Sequence, residues 1–183
     1  MTRKLGAGLL LHPRFMRWRS TLLPQLAFPL PPQDGRQSET ALRVARGTRR
    51  LLRRLRFSTV TELPLLSGRR ADLVALAEDG AIHIIEIKSS IADFRADQKW
   101  PAYRAHCDRL FFAIPESVPV EIMPEDAGLI LADGYGAEIL REAPEHKLAP
   151  ASRRAMLLRF AHAAAHRLHG LTDPEILSHG PLG

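Results

Sequence analysis

Two apolar runs joined by three turn-forming residues constrain this chain more than any other stretch. Arg70–Ala77 and Ala81–Lys88 read as strands, and Glu78-Asp79-Gly80 between them has the make-up of a hairpin loop. With Gly80 in the left-handed position of a three-residue loop, Ala77 pairs with Ala81. Counting back along both strands sets Asp72 opposite Glu86, with Cβ atoms about 4.5–5.5 Å apart on one face of the sheet. Lys88, two residues beyond Glu86, shares that face, whereas Ile85 and Ile87 point to the other. A two-residue turn would slip the register, oppose Asp72 to Ile87 and separate the carboxylates.

Facing carboxylates repel unless a cation or a proton intervenes. Three readings are open: a metal site, a structural ion-pair cluster, or misassigned strands. For the first, oxygen ligands favour Mg²⁺ or Mn²⁺. Such an ion polarises a phosphoryl group and lowers the pKa of a bound water, and a compact ammonium such as Lys88 can orient that water or offset developing charge. The chemistry that matches is phosphodiester hydrolysis.

The net charge of +6 suits a polyanionic partner without establishing one. Residues 1–37 hold six Arg or Lys (Arg3, Lys4, Arg14, Arg17, Arg19, Arg36) against Asp34 and carry five prolines, so they read as a poorly ordered basic extension. The domain is expected over residues 38–170, with 171–183 as a tail. Ser38 can cap a helix with Glu39 in its first turn, and Leu42, Ala45, Thr48 or Arg49, Leu52 and Leu55 recur at helical spacing. That helix also bears Arg43, Arg46, Arg49, Arg50, Arg53, Arg54 and Arg56. A solvated face and a phosphate-contacting surface are equally good readings of it.

Phe57–Pro64 precedes the hairpin as a strand. Ser89 or Ser90 can cap a helix from Ile91 to about Trp100, with Pro101 bending or ending it near Ala105. Arg109–Ile114 reads as an inner strand, Ala127–Leu131 and Ala137–Arg141 as two outer strands around Asp133–Gly136, and Pro150–His169 as an amphipathic helix burying Met156, Leu157, Phe160, Ala164 and Leu168. The predicted class is α/β (α+β): αβββαβ, then a β-hairpin and a closing helix, with helices packed on a mixed central sheet.

The run from Asp72 through Glu86-Ile87-Lys88 resembles the PD-(D/E)xK nuclease superfamily, the restriction-endonuclease-like fold, whose core order is the one just read. Ala71 stands where the superfamily's motif has Pro. A narrower resemblance is to the bacterial MmcB-like DNA repair proteins. It is carried by Arg69-Arg70-Ala71-Asp72-Leu73, Glu86-Ile87-Lys88-Ser89-Ser90, Asp93-Phe94, Asp97-Gln98-Lys99-Trp100-Pro101-Ala102-Tyr103 and Cys107-Asp108-Arg109-Leu110-Phe111-Phe112-Ala113. The resemblance implies a metal-dependent nuclease, or a nuclease-like DNA-binding or accessory protein, in DNA repair. It makes Asp72, Glu86 and the Ile87 carbonyl the metal ligands and Lys88 the catalytic lysine. It adds Glu39 on the first helix and Gln98 after the Glu-x-Lys strand as further site candidates. Arg43, Arg46, Arg50 and Lys99 are the expected nucleic-acid contacts, and a homodimer or other repair proteins are possible partners beside DNA.

Other residues carry plainer readings. Glu62 reads as a strand-end acid or a residue aimed at the site, and Trp100 and Tyr103 as packing or as DNA contacts. His83 points away from Glu86 by parity; His162, His166 and His169 form a polar helix face. Cys107, the only cysteine, excludes an internal disulfide and a thiolate zinc cluster and fits a reducing, cytoplasmic setting. Arg3-Lys4 before Leu5–Leu11 does not make a signal peptide, and no apolar run is long enough for a membrane span, so no membrane partner is expected.

Overall fold

The computed structural model describes residues 38–97 and 99–173. The Pro-rich extension, Gln98 and most of the tail lie outside them. The elements are α1 (Glu39–Arg54), β1 (Ser58–Pro64), β2 (Arg70–Leu76), β3 (Ile82–Ile87), α2 (Ile91–Ala96), a 3₁₀ segment (Trp100–His106), β4 (Arg109–Ile114), a short 3₁₀ turn (Val120–Ile122), β5 (Gly128–Ala132), β6 (Ala137–Arg141) and α3 (Pro150–Thr172). One six-stranded sheet follows chain order from β1 to β6. The β1–β2, β2–β3 and β5–β6 pairs are antiparallel; β3–β4 and β4–β5 are parallel. This is the restriction-endonuclease-like αβββαβ core with its extra hairpin and closing helix.

The β2–β3 register is the expected one. Leu73 pairs with Ile85 and Ala75 with His83, Gly80 has φ +86°, and the Ala77 amide donates to the Ala81 carbonyl at 2.9 Å. Alternation along these strands then sorts the two layers. Leu73, Ala75 and Ile85 form a core with Val44, Leu51 and Leu52 of α1. On the other face, Val74, Ile82 and Ile84 pack with Tyr103, Leu110 and, from α3, Met156 and Ala163.

Both long helices turn out differently from their apparent apolar stripes. In α1 the buried set is Val44, Gly47, Thr48, Leu51 and Leu52, while Leu42 and Leu55 are exposed. Gly47 explains this orientation: a Cβ there would lie 2.2 Å from the Asp133 carbonyl oxygen and 2.3 Å from that of Gly136, so the helix axis runs against the β5–β6 turn where there is no side chain. In α3, Arg159, Ala163 and Gly170 are buried with Met156, whereas Ala164 is exposed and Leu168 is 58% exposed. The sheet-facing strip of α3 is partly polar because Arg159 donates to the Pro64 carbonyl, and Arg167 to the Glu62 carbonyl and the Thr61 hydroxyl, satisfying acceptors at the β1 edge. β5 is likewise an inner strand, between β4 and β6, and β6 alone is the outer one of that hairpin.

The helix expected from Ile91 to Trp100 stops at Ala96. Asp97 leaves helical geometry, accepts the Lys99 amide at 3.1 Å, and a new 3₁₀ segment starts at Trp100 with Pro101 in its first turn. Asp108 then ties the layers together. Its buried carboxylate accepts the Ile82 and Leu148 amides and a two-pronged contact from Arg153 of α3 at 2.7 and 2.8 Å. Those donors hold the Asp108 carboxyl down at about 2 against the burial that would raise it.

Candidate functional site

The site forms where the hairpin ladder opens. Regular β2–β3 pairing ends at Leu73–Ile85, and beyond it the side chains take over the backbone donors. The Ile87 amide donates to Asp72 Oδ2 at 2.9 Å, and the Asp72 amide to Glu86 Oε1 at 3.3 Å. Each carboxylate is thus anchored through one oxygen by the facing strand, leaving the other to a further partner. Across β2 on the opposite side, β1 is also broken: Thr61–Leu73 and Leu63–Ala71 pair normally, but Glu62 between them sits at φ +48°. A non-glycine residue in that region is strained, and such strain gathers at functional sites. The buried Glu62 carboxylate is ion-paired with Arg70.

Asp72 and Glu86 therefore face the α3 layer together, with Glu86 only 3% exposed. Burial pushes Asp72 up to about 6 against the Ile87 hydrogen bond, with the Glu62 charge adding to the rise. Burial and the facing Asp72 charge drive Glu86 well above the ordinary carboxylate range. Lys88 is buried beside them. Burial alone would lower its pKa, but the Asp97 carboxylate, 2.6 Å from Nζ, outweighs that and keeps the ammonium charged. The same ion pair holds Asp97 low despite its partial burial.

Asp97 and Tyr103 join the site without having been singled out for it. The helix break at Ala96 aims Asp97 back at Lys88. The Tyr103 hydroxyl donates to the Arg70 carbonyl at 3.1 Å, and its pKa is raised by burial and by the charges of Glu86 and Asp72. Asp97 stands outside both the α2 helix and the 3₁₀ segment, so no periodicity marks it. The Asp97-x-Lys99 spacing of an Asx turn was the available signal.

The remaining candidates are dispersed. Glu39 is exposed in the first turn of α1, whose buried side packs on the opposite face of the sheet. Gln98 lies outside the described residues. Lys99 is exposed beside Asp97. Arg50 donates to the Gly134 and Tyr135 carbonyls, Arg43 lies beside Gly134, and Arg46 lines a groove with Arg49 and Arg53. His83 is stacked between Phe57 and Phe111 on the α1 side, and burial lowers its pKa to about 4. Trp100 packs edge-on against Phe112.

Among the described residues, no group of three His, Cys, Asp or Glu side chains is placed to hold a metal ion. The donors present still fit a hard divalent cation. Mg²⁺ is commonly held by one or two carboxylates while it keeps several waters, and a half-buried Asp72 facing a buried Glu86 is a costly arrangement that a cation relieves.

A family model described as "DNA repair protein MmcB-like" matches residues 29–175. The chain belongs to the MmcB-like family. The SPO1766 protein of unknown function from Silicibacter pomeroyi, a solved structure, is 46% identical to this MmcB-like chain with a TM-score of 0.74, over 80% of this chain and 99% of that one. No curated protein matches. No helix among the described residues is long and apolar enough to cross a membrane.

Proposed function

We propose that this MmcB-like protein works on DNA in repair as a nuclease-like binding or accessory protein, with Mg²⁺ or Mn²⁺ taken between Asp72 and Glu86. The family description supports the DNA-repair part. The observation that carries the rest is the Lys88–Asp97 ion pair. The residue inventory is that of a nuclease centre, but the charge of its lysine is already matched within the site. An ammonium so paired has less to offer a phosphate in its transition state.

The second reading is metal-dependent phosphodiester hydrolysis of DNA. It is favoured by the two acids and the lysine on one face of the hairpin. When bound, such a cation polarises a phosphoryl oxygen and acidifies a water. Asp72, Glu86 and the Ile87 carbonyl are the residues that would hold it. Lys88, once released from Asp97, would orient a water or offset developing charge.

Purified full-length protein, presented with flapped, nicked, mismatched and single-stranded DNA in Mg²⁺ or Mn²⁺, should bind at least one form and leave all uncut. Cleavage lost in Lys88→Ala with binding retained would establish the hydrolytic reading instead. Failure to bind any form would remove DNA as the partner.

A further inference from the structure

The outer side of α1 carries a charged surface that the acid site does not use. Arg46, Arg49, Arg53 and Arg56 line a groove of about 660 Å³ whose floor includes Ser58 and Thr59. Its one acid, Glu78, is paired at 3.1 Å with Arg56, and both side chains are largely exposed. Arg50 and Arg54 are turned to carbonyls of the β5–β6 hairpin. Arg46, Arg49 and Arg53 make no hydrogen bond or ion pair with any described residue. Three uncompensated guanidinium groups on one helix face cost self-repulsion that a bound polyanion removes.

The spacing suits an extended polyanion. Arg46 and Arg53 are seven residues apart on a helix, about 10 Å along its axis, which spans three steps of the roughly 3.4 Å rise between nucleotides of a duplex strand. Ser and Thr hydroxyls are common phosphate donors beside Arg. Phe57, the aromatic residue of the groove, already stacks on His83 at 4.8 Å, so the groove offers backbone contacts rather than base stacking.

We infer that this groove binds the phosphodiester backbone of DNA, independently of sequence and of any metal, as a site separate from Asp72–Glu86. This rests on DNA being the partner, as proposed above. Glu78, in the groove wall, lies in the hairpin turn beyond the far end of β2 from Asp72. The helix that bears the groove covers the face of the sheet opposite the carboxylates. The groove and the acid site are therefore separate surfaces on opposite sides of the sheet.

The test is fluorescence anisotropy of full-length protein on a labelled duplex of about 20 base pairs in EDTA, across a salt series. The variant is Arg46→Gln/Arg49→Gln/Arg53→Gln, checked for wild-type melting. It should bind about 100-fold more weakly at low salt, with the slope of log K against log salt reduced by about 2 to 3. If the triple variant fails to fold, Arg53→Gln alone should weaken binding several-fold and reduce the slope by about 1. Variant binding equal to wild type in affinity and slope overturns the groove and leaves the DNA reading intact. No duplex binding by wild type, in EDTA or Mg²⁺, overturns both. Tighter binding to phosphatidylglycerol vesicles than to duplex, lost in the variant, assigns the groove to a membrane surface and overturns the inference as well.

Discussion

At the scale of single residues, the facing carboxylates are the costly feature. Asp72 titrates near 6 in the folded chain against 3.8 unperturbed, so between those values the folded state holds its proton more tightly than the unfolded state. The ionised form is thus a destabilising contribution, complete above about pH 6 and relieved as pH falls toward 4. His83, lowered to about 4, has the opposite dependence over nearly the same window, and a melting curve of the wild type alone would blend the two. Asp72→Asn separates them, since the amide oxygen can still accept the Ile87 N–H. In EDTA at pH 8 the variant should be more stable than wild type by on the order of 1–2 kcal/mol, with the gain vanishing near pH 4. Thermal melts at the two pH values check it; a variant less stable at both would show that the pair is a satisfied structural contact. Asp72, Glu86 and Lys88 were legible because strand parity and one glycine turn determine where they point. Asp97 and Tyr103 were not, because each owes its direction to a break in regular structure, and for the same reason Glu62 stayed open between a strand-end acid and a residue aimed at the site.

At the scale of elements, the order, the hairpin register and the opposed faces of β2 and β3 could be read from local patterns. The helix faces could not. Leu42 and Leu55 look like a stripe, yet α1 is oriented by Gly47 against a turn 86 residues away, at Asp133. Likewise α3 spends buried surface on Arg159 and Arg167 because the kinked β1 needs donors. Gly47→Ala tests this directly. On helix propensity the change should stabilise by about 1 kcal/mol. The contact it would force at 2.2 Å is with backbone, which cannot swing aside, so a net loss of roughly 2–3 kcal/mol is expected in denaturant unfolding. A stabilised variant would mean that α1 sits elsewhere.

For the whole molecule, the sheet separates two surfaces: the Asp72–Glu86 pair toward α3, and the arginine groove on the α1 side. Net charge hinted at a polyanion, but only the fold shows that the arginines of α1 divide between the β5–β6 turn and an open groove. Placing the cation at the carboxylates is the central claim, and the most direct measurement is anomalous diffraction from crystals of the full chain soaked in Mn²⁺. A peak is expected between Asp72 and Glu86, about 2.0–2.3 Å from one oxygen of each. No peak there, or one held by other residues, would contradict it.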